Sequence, residues 1–305
     1  MTWRSVSPKT YTQICRVALG LLCIIVVTGA AVRLTGSGLG CTDWPRCNSE
    51  KFIDVSSTHG AIEQVNRLFT GLVAAGVVLA VLAANVRQPR RRDLVVLAWG
   101  LVVGVLGQIV LGGIVVLTGL HPLANQGHFV LSMVLIANAV VLLHRSQEPD
   151  GPRRSLVSST QEYLIWALMG MGTVAIVTGT VVTGAGPHAG DENAPRFDFD
   201  ISHVARIHGI SVILTLIVCL VLALQYRRVT RETRLIQSAL ETVLVVGVLQ
   251  ATVGYVQYFN NVPALLVGVH IAGATAFFAS LVNLVLTVRV PQAHSVEPSL
   301  VTADR

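Results

Sequence analysis

The sequence predicts an all-α polytopic membrane protein of eight transmembrane helices, arranged as two tandem four-helix-bundle repeats. The chain is 52% hydrophobic and only 12% charged, and its mean hydropathy is +0.66, far from the balance of a soluble domain. A membrane-spanning helix needs about 20 apolar residues to cross a hydrocarbon core of about 30 Å. Eight segments meet that length, at residues 12–33, 62–86, 93–117, 124–145, 160–183, 203–226, 235–257 and 263–288.

A sequence repeat relates the two halves of the chain. At an offset of 142 positions the matching pairs are His270 with His128, Gln250 with Gln108, and His208 with Asn66. Nearer the first helix the offset is 150, and Val27-Thr28-Gly29 recurs as Val177-Thr178-Gly179. Four helices per half is an even number, so both halves enter the membrane in the same direction. We therefore expect a pseudo-two-fold axis along the membrane normal.

The repeat also suggests the domain organisation. We assign residues 1–146 to an N-terminal four-helix repeat and residues 160–290 to a C-terminal one. The polar linker between them, residues 147–159, contains Pro and Gly and is interpreted as a hinge. Residues 291–305 are expected to form a disordered tail. The first apolar segment is too long for a signal peptide and no small-residue cleavage site follows it, so it is predicted to be a retained helix.

The net charge of +6 is explained by membrane topology, and we expect no nucleic-acid partner. Most basic residues fall on one side of the predicted helices, which the positive-inside rule assigns to the cytoplasm. Both termini are then cytoplasmic in a multi-pass protein of the plasma membrane, surrounded by lipid. These residues are Arg4, Lys9, Arg16, Arg87, Arg90, Arg91, Arg92, Arg145, Arg153, Arg154, Arg227, Arg228, Arg231 and Arg234.

The first outside loop, residues 33–58, carries two of the five cysteines, Cys41 and Cys47. Outside the cell a disulfide is permitted, and no His or third Cys is placed to complete a zinc site; free thiols are the alternative. Together with several glycines and Trp44, this pair predicts a folded cap over the helix ends, for which a purely structural lid is the alternative. Cys15, Cys23 and Cys219 lie in apolar segments and are expected to be small core residues.

A polar stripe opens the second helix. Its members are spaced at i, i+4, i+7 and i+8, which places them on one helical face. A solvated helix end is the alternative interpretation. The stripe consists of His59, Glu63, Asn66 and Arg67.

Two histidines, His208 and His270, lie about a turn and a half inside their apolar segments. Ionisable groups within the membrane are usually buried against a partner, an ion path or a cofactor. Zinc, copper and di-iron sites need three or more ligands, whereas heme needs one or two axial side chains and an apolar slot. The pair therefore predicts a heme site, with two satisfied core histidines as the alternative. By the repeat, Asn66 and His128 occupy the corresponding places in the first half.

These residues resemble heme A synthase, the membrane enzyme of cytochrome oxidase assembly, over nearly the whole chain. The resemblance is carried by the run GSGLGC-TDWPRC after a first helix ending in VTGAAVR, by Glu63-x-x-Asn66-Arg67, by Gln108 with Gly112-Gly113, and by the three histidines His128, His208 and His270.

The resemblance implies oxidation of the C8 methyl group of heme O to a formyl group, which gives heme A. It also implies a heme b held by His208 and His270, heme O received in the N-terminal half, and an essential glutamate at Glu63. Expected partners are a heme O synthase that supplies the substrate, an unidentified electron donor and a second copy of the chain.

This sequence departs from the family pattern Glu-x-x-His-Arg, because Asn66 stands where the pattern has His. His128 is then the remaining ligand of the substrate heme, and His59 is the only other side chain in the stripe that could close the site. Two other classes of function stay open: a diheme cytochrome b that only transfers electrons, and a transporter built from repeats. A transporter would be expected to show helices broken at mid-membrane, and the sequence shows no convincing pair.

Overall fold

A computed structural model describes residues 5–227 and 233–292. In these residues eight helices are long and apolar enough to cross a membrane, as predicted. The bounds differ from the predicted ones by at most four residues. The helices are α1 (Pro8–Leu34), α2 (Thr58–Val86), α3 (Arg92–Leu117), α4 (Pro122–Gln147), α5 (Ser159–Ala185), α6 (Ile201–Gln225), α7 (Arg234–Phe259) and α8 (Ala264–Thr287).

Most of these helices begin before their apolar run does, because polar residues cap them. The Ser7, Ser57 and Ser158 hydroxyls each accept a hydrogen bond from an amide in the first turn of α1, α2 and α5. Asp200 accepts from the amides of Ser202 and His203 at the start of α6. Such bonds satisfy N–H groups that have no partner within the helix.

The helices pack as two rings of four. Helices α1 to α4 form one closed ring of neighbours and α5 to α8 form the other, and α1 with α8, α4 with α5 and α4 with α8 join the two. If each helix of one ring is renamed as its repeat equivalent in the other, the α1–α8 contact becomes the α4–α5 contact and the α4–α8 contact becomes itself. A two-fold axis between the rings would require this. The axis itself stays a prediction.

The packed core lies towards one end of each ring, the end that carries the linker. In α6 and α7 the buried positions nearest the other end are Thr215 and Gly247. His208 and Gln250 lie beyond them and are only half-buried. The histidine sites therefore begin where the close-packed core stops, near the end that carries the loop between α1 and α2.

The linker between the repeats forms main-chain hydrogen bonds with the segment that follows α8. Its residues Arg153–Ser155 form a strand, β1, that pairs antiparallel with β2 (Arg289–Pro291) directly after α8. The Gln292 amide also donates to the Pro152 carbonyl. The expectation of a hinge missed this pairing because three-residue strands leave no periodic signal. Pro291 and Gln292 belong to the pairing and not to a disordered tail, and residues 293–305, like Arg4, Arg228 and Arg231, lie outside the described residues.

Candidate functional site

The loop between α1 and α2, residues 35–57, folds into a cap on the end of the N-terminal ring. Cys41 and Cys47 form a disulfide, which confirms the prediction, and both cysteines are fully buried. Trp44 packs its indole on α3 at Gly113, where an added methyl group would lie 2.5 Å from the ring. Only a glycine leaves room for that contact, so this position fixes the cap over the ring.

Asp54 organises the far side of the cap. It accepts hydrogen bonds from the Ser56 amide at 3.1 Å and from Asn48 at 2.9 Å. The bonds from Ser56, led by its hydroxyl, hold the pKa of Asp54 at about 2. An aspartate in an unfolded chain titrates at about 3.9, so the carboxylate stabilises the cap above that pH and the contribution is lost as the pH falls through the folded value.

The disulfide yields a first prediction. Alkylation of the unfolded protein without reductant should modify three cysteines, because Cys15, Cys23 and Cys219 are free thiols. After reduction all five should be modified. Intact-mass spectrometry of both samples counts the added groups, and the three free thiols serve as the internal control. Five modified cysteines without reductant would contradict the disulfide.

The cap also contacts the loop that follows α5. Gly38 donates its amide to the Gly190 carbonyl at 2.9 Å. Arg33, at the end of α1, donates to the His188 carbonyl at 2.6 Å and to the Thr183 carbonyl at 2.9 Å. These bonds hold the ends of the two rings together on the side that carries the histidines.

In the C-terminal ring, His208 on α6 and His270 on α8 face each other across the bundle. Their ring centroids are 6.4 Å apart and the ring planes are nearly perpendicular, at 85°. A histidine nitrogen lies about 2 Å from a bound metal, which puts each ring centre roughly 3 Å from that metal. The measured separation therefore suits one metal held between the two imidazoles.

Each of the three intramembrane histidines packs against a glycine on the neighbouring helix. A methyl group added at Gly179 or at Gly254 would lie 3.0 Å from the Cε1 atom of His208 or His270, respectively. At Gly112 it would lie 3.4 Å from Cε1 of His128. Contacts this close mean that each ring rests on bare backbone, so we call the three glycines ring seats.

Matching glutamines brace two of the histidines. Gln108 donates its side-chain amide to the His128 carbonyl at 3.1 Å, and Gln250 donates to the His270 carbonyl at 2.5 Å. These pairs are related by the 142-residue offset, so the repeat of the sequence is also a repeat of contacts. A hydrogen bond to the histidine carbonyl fixes the position, along the helix axis, of the turn that carries the imidazole ring. We call each of these bonds a glutamine brace.

His208 is held through its ring instead. The Thr178 hydroxyl lies 3.2 Å from its Nδ1 atom, next to the ring seat Gly179. The Ser211 hydroxyl lies 3.2 Å from that of Thr178 and donates to the His208 carbonyl at 2.7 Å. With Nδ1 engaged by Thr178, the other ring nitrogen, Nε2, is free to bind a metal.

The donor set fits heme better than a bare metal ion. In the described residues no group of three or more His, Cys, Asp or Glu side chains converges as a metal site. Two opposed imidazoles in apolar helices, with no further ligands around them, are what a heme requires. In the N-terminal ring, the Nδ1 atom of His128 and the Oδ1 atom of Asn66 are buried and have no hydrogen-bond partner among the described residues, which suits a pocket that receives a ligand.

Two residues of the polar stripe of α2, Glu63 and Arg67, contact the cap. Glu63 is buried and accepts at Oε2 from the Cys41 amide at 2.7 Å, and at Oε1 from Arg67 Nη2 at 2.5 Å. Arg67 also donates to the Asp43 and Arg46 carbonyls of the cap, and its guanidinium lies over the Trp44 ring, 5.2 Å from the centroid. Glu63 and Arg67 therefore tie the cap to the first turns of α2.

His59 belongs to the cap as well. Its Nδ1 atom lies 2.9 Å from the Ser37 hydroxyl, and the residue is exposed. In that contact His59 joins the cap to the start of α2, and its role as a second ligand of the substrate heme stays a prediction.

The ion pair of the stripe has no counterpart in the C-terminal ring. At the offset of 142, Glu63 corresponds to Ala205 and Arg67 to Gly209. Among the described residues, the two rings thus share the glycine seats and the glutamine braces, but the positions equivalent to the Glu63–Arg67 ion pair hold Ala205 and Gly209 in the C-terminal ring. The C-terminal ring presents two opposed imidazoles, whereas the N-terminal ring has one imidazole and the ion pair under the cap.

The sequence interpretation missed the ring seats at Gly112 and Gly179 and the contact of Thr178 with His208. A signal was present, because Val27-Thr28-Gly29 recurs as Val177-Thr178-Gly179. A small residue and a hydroxyl kept at equal positions within two membrane helices also indicate a close contact.

Comparison with known proteins agrees with this architecture. The chain matches the family model for cytochrome oxidase assembly proteins (COX15-CtaA) over residues 12–59 and 52–282. Among curated proteins, it is 28% identical over 165 residues to the heme A synthase of Exiguobacterium sibiricum, which covers 53% of this chain and 56% of that protein.

Two further relatives carry the same name. The heme A synthase of Alkalihalophilus pseudofirmus is 29% identical over 57% of this chain and 59% of its own length. That of Shouchella clausii is 27% identical over 88% of this chain and 91% of its own length. The first of these matches thus span little more than half of the relatives concerned, while the family model covers nearly all of the helical region. This multi-pass membrane chain therefore belongs to the cytochrome oxidase assembly protein family.

Proposed function

We propose that the protein is a heme A synthase, an oxidoreductase that converts the C8 methyl group of heme O to the formyl group of heme A for cytochrome oxidase. Relatives of that name at 27–29% identity support the activity. The observation that carries it is the inequality of the two rings. A chain that only transfers electrons between two hemes has no use for an ion pair at one of them.

In the C-terminal ring, His208 and His270 would hold a heme b from both sides. Bound there, the heme would supply a reversible one-electron carrier. Gly179 and Gly254 let the imidazoles lie against α5 and α7, and Gln250 and Thr178 hold them in place. These residues position the cofactor and leave it closed to other ligands.

In the N-terminal ring, His128 would hold the substrate heme O from one side. The cap covers this end, with the Trp44 indole on α3 and a buried disulfide at its centre. Glu63 holds its carboxyl group under the cap, where Arg67 and the Cys41 amide donate to it. Oε1 accepts two bonds from Arg67, whereas Oε2 accepts only the one from Cys41, so Oε2 has a second lone pair that would accept a proton released during methyl oxidation.

The proposed roles of the two repeats follow the predicted domains. The repeat of residues 1–146 would receive the substrate, the repeat of residues 160–290 would carry the heme b, and the linker would lie with both termini on the cytoplasmic side. A heme O synthase in the same membrane would supply the substrate. A separate electron donor, not identified by the chain, would reduce the heme b.

The hemes that co-purify with the protein test this proposal. The protein should be expressed in a bacterial host that also makes heme O, purified in detergent, and its pigments extracted with acid acetone and separated by chromatography. We expect heme b together with heme O or heme A. Heme b alone, at two per chain, is the result expected of a diheme cytochrome and would overturn the proposal.

A further inference from the structure

Helix α1 carries residues equivalent to those that contact the His208 ring, although the N-terminal ring has no histidine at the position equivalent to His208. We call the residues that contact such a ring its receptor. In the C-terminal ring the receptor of His208 consists of the Thr178 hydroxyl, 3.2 Å from Nδ1, and of Gly179, where a methyl group would lie 3.0 Å from the ring. At the offset of 150 these two residues correspond to Thr28 and Gly29 on α1.

At Gly29 the described chain places nothing on the seat. No heavy atom from the rest of the described residues lies within 4 Å of the position that a methyl group would take there. Within the described part of the chain, the Thr28 hydroxyl donates to the Ile25 carbonyl of its own helix, at 3.3 Å, and to no other group. Asn66, which stands in place of the imidazole, is shorter than histidine and its buried Oδ1 atom has no hydrogen-bond partner among the described residues.

We infer that Thr28, Gly29 and Asn66 form a binding site for a small exogenous ligand of the heme iron, opposite His128. This inference rests on the proposed function, because it requires a heme in the N-terminal ring. The ligand must be neutral, since the surroundings are apolar, and small enough to fit between α1 and α2. It must offer a lone pair to the iron and an N–H or O–H group to the Asn66 oxygen.

Water and imidazole both meet these requirements. Water is the natural candidate because an iron that holds it exchanges it readily for a reactant, whereas a heme with two histidine ligands is closed. Imidazole is the better probe, since it is the ring for which Thr178 and Gly179 form the matching receptor in the other half. Imidazole should bind the N-terminal heme and leave the C-terminal heme unchanged.

The test uses purified protein carrying its hemes, titrated with imidazole while absorption and electron paramagnetic resonance spectra are recorded. For the unaltered protein we expect one low-spin heme, held by His208 and His270, and one high-spin heme that becomes low-spin as imidazole is added. Gly29→Val should weaken imidazole binding at least tenfold, because its side chain occupies the seat.

A second variant examines the same seat from inside the protein. Asn66→His should be low-spin at both hemes without imidazole, and combining it with Gly29→Val should restore the high-spin signal. Gly179→Val is the matched control. It should disturb the other heme, because it pushes the His208 ring away from its seat.

The outcomes separate this inference from the proposed function. Two hemes per chain, both low-spin and indifferent to imidazole, would overturn the ligand site and leave the proposed function standing. A single heme, bound through His208 and His270 in protein isolated with a supply of heme O, would overturn both. Equal imidazole affinity with and without Gly29→Val would show that the ligand binds elsewhere than on the seat.

Discussion

Replacing His208 or His270 by alanine is expected to abolish the low-spin heme of the C-terminal ring. The two imidazoles are 6.4 Å apart across the bundle, and each alanine removes one of the two axial ligands that such a heme needs. Purified His208→Ala should therefore lose most of the sharp α-band of the reduced protein, and His270→Ala should lose the same band. Reduced-minus-oxidised difference spectra measure the loss.

Two controls accompany this prediction. His128→Ala should keep the low-spin spectrum, because it lies in the other ring. Gln250→Leu should keep the heme but shift its spectrum, since the glutamine only braces the His270 carbonyl. If both His208→Ala and His270→Ala show an unchanged heme spectrum, these residues are not the ligands.

Replacing Glu63 by alanine is expected to reduce heme A formation by about a hundredfold or more, the usual magnitude for loss of a general acid or base. The low-spin heme of the C-terminal ring should remain, because Glu63 has no counterpart there. Heme O and heme A extracted from cells that depend on each variant measure the effect. Normal heme A formation by Glu63→Ala would contradict a catalytic carboxylate and favour simple electron transfer.

A second substitution separates the chemical role of Glu63 from its structural one. The carboxylate also ties the cap to α2 through the Cys41 amide and Arg67, so the alanine variant loses both roles. Glu63→Gln keeps the size of the side chain and one oxygen, which can accept from Arg67 or from the Cys41 amide, but removes the carboxylate that would accept a proton. If Glu63→Gln is as inactive as Glu63→Ala, the carboxylate itself is required. If it retains most of the activity, Glu63 acts by holding the cap.

Much of the fold was predictable because membrane helices leave a strong signal. Each helix must satisfy its own backbone hydrogen bonds within lipid, so long apolar runs such as 93–117 map onto α3 with one residue of difference. The pairing of His208 with His270 followed from their equal depth in two helices. The disulfide followed from the position of Cys41 and Cys47 in an outside loop.

Other features depend on how the helices are rotated and how closely they approach, which apolar runs do not encode. The seats at Gly179 and Gly254 exist only because α5 and α7 present bare backbone to the rings. The family resemblance implies an essential glutamate at Glu63, and the structure also places it under the cap, where the Cys41 amide and two nitrogens of Arg67 donate to it. The strand pairing of the linker arises from contacts between residues 153–155 and 289–291, which are far apart in the sequence.

The most direct test of the account is whether this chain forms heme A in a host that has heme O and electron donors but no heme A synthase of its own. A bacterial host that makes heme O but no heme A should be given the gene, grown in air, and its membrane hemes separated by chromatography and identified by mass. We expect a new heme whose mass and spectrum match the formyl product, and its absence with Glu63→Ala. Heme O that stays unconverted in membranes where the protein is folded and carries its low-spin heme would contradict the account.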